Sequence, residues 1–318
     1  MIEVVNPGMH AVIVDRGRFG YSAIGVPMSS ALDQFAYQVL NRLTESDESA
    51  AVVEVIGAYF SVKFQTETTF AITGARVAAA LDGQHIRPWT AVNASKGGVL
   101  KITGVTEGFR YYVGFAGGID VEAVMGSRTT NLECRFGGYQ GRALKVGDKL
   151  QPAGNPVEKT GMVPEHFIPR MHPPHRLRMV AGPEADFFTD DSLKRFVEKR
   201  LKTVYTVSVN SNRAGIRLEG DPIIFKDSRD KSIISEGILP GTIQIPGDGM
   251  PIIILYERTI GGYARLATVA RADRDVLAHL KPADDVWFEM IGREEAEALW
   301  REKLNNMEEL KNQIRRSA

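Results

Sequence analysis

Short runs of β-branched and aromatic residues, separated by glycine-rich turns, recur along most of the 318 residues and constrain the fold more than any other feature. In the first half these runs include His10–Val14, Thr69–Thr73, Val99–Thr103 and Arg110–Phe115. In the second half they include Val204–Val209, Thr242–Ile245, Pro251–Tyr256 and Val286–Met290. Each run has the length of a strand, and the 31 glycines sit between them as turns sit between strands. Many strands with little helix between them favour barrels or sandwiches over a doubly wound α/β sheet.

Helical spacing is confined to a few places. Apolar residues at Phe35, Ala36, Val39, Leu40 and Leu43 predict a helix over Asp33–Leu43, with Ser29 or Ser30 as its cap. A second helix is expected over Asp186–Leu201, and a short third over Arg271–Leu280. From Arg293 to about Arg316 the charged, amphipathic pattern predicts a C-terminal helix, packed on the body or contacting a partner. Prolines crowd Gln151–Pro174, the best linker candidate. The expected organisation is therefore a first barrel over 1–150, a linker over 151–175, a second barrel over 176–292 and a helix over 293–318. The halves look loosely alike, each with strands, one helix and a Gly-Gly turn near a basic residue.

Composition narrows the function. Lys plus Arg and Asp plus Glu both number 39, so the chain carries no net charge to attract nucleic acid. Its longest apolar run, near Ile252–Tyr256, is strand length, far below the ~20 residues that span a bilayer. The N-terminus lacks a basic start and apolar stretch, and Cys134 is the only cysteine. A cytoplasmic location is expected, with no disulfide within the chain, no nucleic-acid partner and no membrane partner.

Familiar catalytic motifs are missing. His172-Pro-Pro-His175 has metal-like spacing but no third ligand nearby, and no metal site is expected. There is no nucleophile elbow and no phosphate-binding Gly-x-x-x-x-Gly-Lys-Ser/Thr loop, and Cys134 reads as a structural thiol. What remains is a set of glycine-rich turns that carry charged side chains. Glycine lets backbone amides approach a ligand, and neighbouring arginines supply forks for carboxylate or phosphate. Candidate catalytic residues are Asp15, Arg18, Asp33, Arg128, Arg142, Arg213 and Glu236. Candidate substrate-binding residues are Gly117, Gly118, Ser127, Gly261, Gly262 and Tyr263. For Asp15, Asp33 and Glu236 the choice lies between orienting arginines, holding metal, acting as a base, or closing an ion pair inside a barrel.

The order of these turns resembles the carboxyltransferase A/B-subdomain family, also called KipA-like or allophanate hydrolase subunit 2. The likeness runs through Asp15-x-Gly-Arg-x-Gly20, Gly25-Val-Pro-x-Ser29, Ala116-Gly-Gly-Ile-Asp120, Gly126-Ser-Arg-x-Thr130 and Gly137-Gly-x-x-Gly-Arg142. It continues through Ser211-x-Arg-x-Gly215, Ser235-Glu-Gly237, Gly241-x-Ile-Gln244 and Gly261-Gly-Tyr263, and covers roughly residues 10 to 290. Departures are Val14 where the family commonly has Gln, Asn212 for Asp, Glu257-Arg258-Thr259 for a longer Asp-Arg-Gln-Thr, and Ala264-Arg265 for Pro-Lys.

The resemblance implies two cyclophilin-like β-barrel domains. It implies a C subunit of prokaryotic 5-oxoprolinase, which works with a KipI-like B subunit and a lactam-hydrolase A subunit, uses ATP and Mg2+, and converts 5-oxoproline to glutamate. Two alternatives come with it. One is a biotin-dependent carboxyltransferase lobe like that of urea carboxylase, with biotin on a separate carrier because the chain lacks a Met-Lys-Met attachment sequence. The other is a non-catalytic KipA-type antagonist of a KipI-like kinase inhibitor. A homo-oligomer is compatible with any of these.

Overall fold

A computed structural model of the chain describes residues 1–158, 161–197, 204–227 and 229–317, with residues 315–317 described by their backbone alone. The chain divides into two compact units. One comprises Met1–Phe19, Ser29–Met171 and Asn305–Ala318; the other comprises Gly20–Met28 and His172–Leu304.

The first unit is a nine-stranded sheet. Its elements are β1 (Ile2–Pro7), β2 (His10–Val14), α1 (Gln34–Leu43), β3 (Val52–Ile56), β4 (Phe60–Phe64), β5 (Thr68–Leu81), β6 (Gln84–Ile86), β7 (Val92–Ala94), β8 (Val99–Phe115) and β9 (Lys149–Leu150). Strands run in the order β2-β3-β8-β4-β1-β9, while β5 pairs with β6, β7 and β8. Register shifts at Gly74/Arg76, Arg76/Val77 and Ala78/Ala79 bend the long β5–β8 pair, as bulges do. The result is a half-barrel.

Both faces of this sheet are buried, which explains the nearly continuous apolar runs. Along β2, Ala11 and Ile13 enter one core, with Phe64, Phe70 and Phe115, while Val12 and Val14 enter another. That alternation is the period of two that a strand imposes. The second core is covered by Ala36, Val39, Leu40 and Leu43 of α1 and by Met307, Leu310 and Ile314 of α3 (Arg293–Ser317). Those three positions of α3 share one face, so its apolar stripe packs on this core. Asp33, rather than Ser29 or Ser30, caps α1: its Oδ1 accepts from Ala36 N at 2.8 Å.

The second unit holds a closed seven-stranded barrel. Its elements are β10 (His175–Ala181), α2 (Asp190–Val197), β11 (Tyr205–Val207), β12 (Gly215–Glu219), β13 (Glu236–Gly237), β14 (Thr242–Ile245), β15 (Ile252–Ile254), β16 (Ile260–Gly261), β17 (Ala264–Val269) and β18 (Asp285–Met290). The barrel order is β10-β17-β14-β15-β12-β11-β18, and the parallel pairing of β10 with β18 closes it. Strands β13 and β16 form a separate two-stranded ribbon. Phe196 of α2 stacks on Phe288 with ring centroids 4.5 Å apart, and Tyr205 meets both rings edge-on at 5.4 and 6.1 Å.

Several expected boundaries move. Val99–Thr103 and Arg110–Phe115 belong to one strand, β8. The helix expected over Asp186–Leu201 is a 3₁₀ turn at Ala185–Phe187 followed by α2; residues 198–201 lie outside the described residues. It breaks because Phe188 is extended and bridges to Phe225. Arg271–His279 is 3₁₀ rather than α. The proline-rich stretch is not all connector: Val157, Val163 and Ile168 are buried within the first unit.

Candidate functional site

In the first unit four of the expected site residues, Asp15, Arg18, Ser127 and Arg128, converge at the end of β2. Four donors surround the buried Asp15 carboxylate: Gly17 N and Arg128 N from the backbone, and Ser127 Oγ and Thr129 Oγ1 at 2.7 Å each. A carboxylate so fully hydrogen-bonded fixes the loop that donates to it. Arg18 has no exposed surface. Its Nε donates to Val124 O at 2.9 Å, its Nη2 donates to Thr129 O at 3.1 Å, and its guanidinium lies 4.6 Å from the Phe136 ring centre. Asp15 and Arg18 thus hold the 124–131 loop from two sides. Ser127 is buried in the same network, whereas Arg128 is half-buried and donates through Nε to Val121 O.

Over this platform lies a cavity of about 370 Å³, lined by Glu122, Arg135, Phe136, Tyr139, Gln140 and the glycines at 137, 138 and 141. Those glycines are required by space and by backbone. A Cβ on Gly137 would stand 2.2 Å from Thr129 O, and one on Gly138 1.9 Å from Thr130 Oγ1; both residues have positive φ.

Arg142 closes the end of this loop. Its guanidinium grips Asp148 through both Nη atoms, at 2.7 and 2.9 Å. Burial pushes the Asp148 carboxyl up, but hydrogen bonds from Arg142 and Lys145 N outweigh it, and its pKa lies below the ordinary value. Asp33 is the cap of α1, and its N–H donates to Tyr112 Oη, which donates to Glu54. Gly117 and Gly118 serve close packing: a Cβ would meet Gly154 N at 2.3 Å and Ala50 Cβ at 2.7 Å, respectively.

A second cluster forms in the other unit. The β13–β16 ribbon sets Glu236 opposite Gly261 and so joins two expected motifs far apart in sequence. Gln244 Nε2 donates to Tyr263 O at 3.0 Å, and a Cβ on Gly261 would come within 2.4 Å of that same nitrogen. Gly262 lies against Ser235, and Tyr263 is exposed. Arg265 is not among the candidates that the motifs single out, yet it sits between two carboxylates. Glu184 accepts from its Nε and Nη2 at 2.8 and 2.6 Å, and Glu236 Oε2 is 2.9 Å from Nη2. The Glu184 hydrogen bonds raise the Arg265 pKa, and the same contacts lower that of Glu184. The signal in the sequence is Arg265 itself, a cation kept where the family has Lys.

Arg213, in the β11–β12 turn, is paired with Glu257 at 3.4 Å, both largely buried. The departures from the family pattern have simple physical readings. Val14 lies in the apolar core. Asn212 accepts from Ala214 N and Gly215 N, a turn that needs only a side-chain carbonyl. Glu257 reaches Arg213.

Among the described residues, no group of three or more His, Cys, Asp or Glu is arranged to hold a metal ion, and no helix is long and apolar enough to cross a membrane. Cys134 is exposed, and His175 is paired with Asp284 at 3.3 Å.

Comparison with known proteins agrees with this architecture. The chain is 34% identical to the C subunit of 5-oxoprolinase from Escherichia coli over 93% of both chains. It is 33% identical to urea amidolyase of Saccharomyces cerevisiae over 94% of this chain but only 17% of that protein. The structure of K. lactis urea amidolyase superposes with a TM-score of 0.89 at 28% identity, covering 97% of this chain and 20% of that one. Residues 24–290 match the carboxyltransferase domain, subdomain A and B, and the chain belongs to that family.

Proposed function

We propose that this protein is the C subunit of an ATP-dependent 5-oxoprolinase, acting with a KipI-like B subunit and a lactam-hydrolase A subunit to open 5-oxoproline to glutamate in the cytoplasm. The observation that carries this reading is the extent of the match: the C subunit of 5-oxoprolinase from E. coli is 34% identical over 93% of its own length. The site supports it in kind. Opening a lactam requires donors for the oxygen on which charge develops, and fixed cations and backbone amides supply them. Arg128 and the glycine loop at 137–141 offer such groups in the first unit, and Arg265 with the Gly261-Gly262 turn offers them in the second. Asp15, Arg18 and Ser127 shape the loop that presents Arg128; Asp33, Arg142, Gly117 and Gly118 hold the frame.

ATP and Mg2+ belong to the assembled reaction. The test is co-expression with A- and B-type subunits followed by purification and a glutamate assay; glutamate that forms only when all three chains are present supports the proposal.

A second reading is favoured by the superposition on urea amidolyase at a TM-score of 0.89. Here the chain acts as a carboxyltransferase lobe that receives a carboxyl group from biotin on a separate carrier. Carboxylation of urea by the purified chain plus a carrier protein bearing carboxybiotin, with release of the decarboxylated biotin carrier, distinguishes it.

A further inference from the structure

Two carboxylates share the Arg265 guanidinium, and they are held very differently. Glu184 is largely buried and makes three contacts, accepting from Arg265 N at 3.0 Å as well as from Nε and Nη2. Glu236 makes a single ion pair at 2.9 Å, and its side chain is 58% exposed. A partner that exposed is screened by water and adds little to the stability of the pair. One buried carboxylate already neutralises the guanidinium, so Glu236 places a surplus negative charge at the same point.

The two strands of the ribbon differ in the same sense. On the β16 side, Gly261 packs against Gln244, and Tyr263 O is bonded to it. The β13 strand carries Glu236 as the other strand of the ribbon. Residues 234–237 are all exposed, Ile234 at 88%, and the chain is buried again only at Ile238. A segment with so few buried contacts moves at small cost. Beneath it, the β14–β17 pairing slips between Ile243/Ala267 and Gln244/Arg265, leaving Leu266 of β17 as the extra residue beside Arg265, an irregularity of the kind that re-aims side chains at sites.

We propose that Arg265 is the seat of a carboxylate-bearing ligand, and that Glu236 fills this seat in the free protein as a displaceable counter-ion. A carboxylate is the chemistry that matches, because the guanidinium, with Nε and Nη2 already donating to Glu184, holds a second carboxylate, that of Glu236, at Nη2. Glu184 then orients the fork, and the incoming carboxylate replaces that of Glu236 rather than joining it. Identifying the ligand's carboxylate with that of the lactam substrate rests on the function proposed above; the seat itself does not.

The experiment measures dissociation constants of the full chain for acetate, 5-oxoproline and 2-pyrrolidinone (the same lactam without a carboxylate) by NMR titration. Glu236→Gln is expected to tighten acetate and 5-oxoproline about tenfold and to leave 2-pyrrolidinone unchanged. Glu219→Gln, which removes an exposed carboxylate elsewhere on the unit, is expected to change none of them. In the Glu236→Gln background, Arg265→Gln removes the gain. Unchanged or weaker carboxylate binding in Glu236→Gln overturns the proposal. Because Glu236 is exposed, that variant folds normally and the decision does not depend on Arg265→Gln. If acetate and 5-oxoproline gain equally but bind equally well, the seat stands and the lactam assignment is what fails.

Discussion

Thr129 Oγ1 accepts a hydrogen bond from the Asp15 backbone N–H at 2.8 Å and returns one to the Asp15 carboxylate at 2.7 Å. One hydroxyl therefore ties the end of β2 to the loop that carries Ser127 and Arg128, across more than a hundred residues of chain. Removing the carboxylate leaves the hydroxyls of Ser127 and Thr129 and the N–H groups of Gly17 and Arg128 without that acceptor. Asp15→Ala should cost on the order of 3 kcal/mol in urea unfolding, and Thr129→Val about 1–2 kcal/mol. Losses within experimental error would mean that the network does not hold the loop.

The glycine loop around the first-unit cavity makes a sharper claim. Gly138 has φ +54, and a Cβ there would overlap Thr130 Oγ1. Gly97 also has positive φ, at +90, but nothing stands within 4 Å of its Cβ position. Gly97→Ala should therefore cost about 1 kcal/mol from backbone strain alone. Gly138→Ala should cost several times more or prevent folding. Equal thermal shifts in the two variants would contradict the geometry.

Much of this is legible in the sequence, and for identifiable reasons. Strand β2 is readable because Ala11 to Val14 are all apolar, and β14 matches the expected Thr242–Ile245. The helix at Gln34–Leu43 is readable from its apolar spacing, but its cap is not. Ser29 is bonded to Asn131, a contact that local sequence does not contain. The candidate residues stand out as motifs, but their grouping is hidden. Pairing of Glu236 with Gly261 depends on a ribbon between segments separated by two barrel strands, and Arg265 becomes visible only once Glu184 is seen to hold it. Burial of Arg18 is equally hidden, since an arginine beside two glycines reads as exposed until Phe136 covers it.

Arg142 and Asp148 form a two-point pair at the end of that loop, with Arg142 partly exposed. Solvent screening limits the pair, so Arg142→Ala should lower stability by only about 1 kcal/mol. Arg142→Lys should restore less than half of that, because an ammonium cannot make both contacts. Full rescue by lysine, read from urea midpoints, would show that charge rather than the fork matters.

His175 introduces a pH dependence in the second unit. Burial lowers its pKa below the ordinary 6.5, with Asp284 opposing and Lys281 and His279 adding to the shift. The unfolded chain then binds the proton at higher pH than the folded one, so this contribution is complete above pH 6.5 and is lost as the pH falls below it. Urea midpoints should decline between pH 7.5 and 5, and His175→Gln should flatten part of that decline. An identical pH profile for the variant would remove His175 from the account.

The central claim is tested most directly by omission and add-back. Purified A- and B-type subunits are assayed for glutamate formation from 5-oxoproline with ATP, first alone and then with increasing amounts of this chain. The account predicts that turnover is absent without the chain, rises with it and saturates at a fixed ratio of subunits. Full turnover without the chain, or none when all three chains are present and folded, would contradict it.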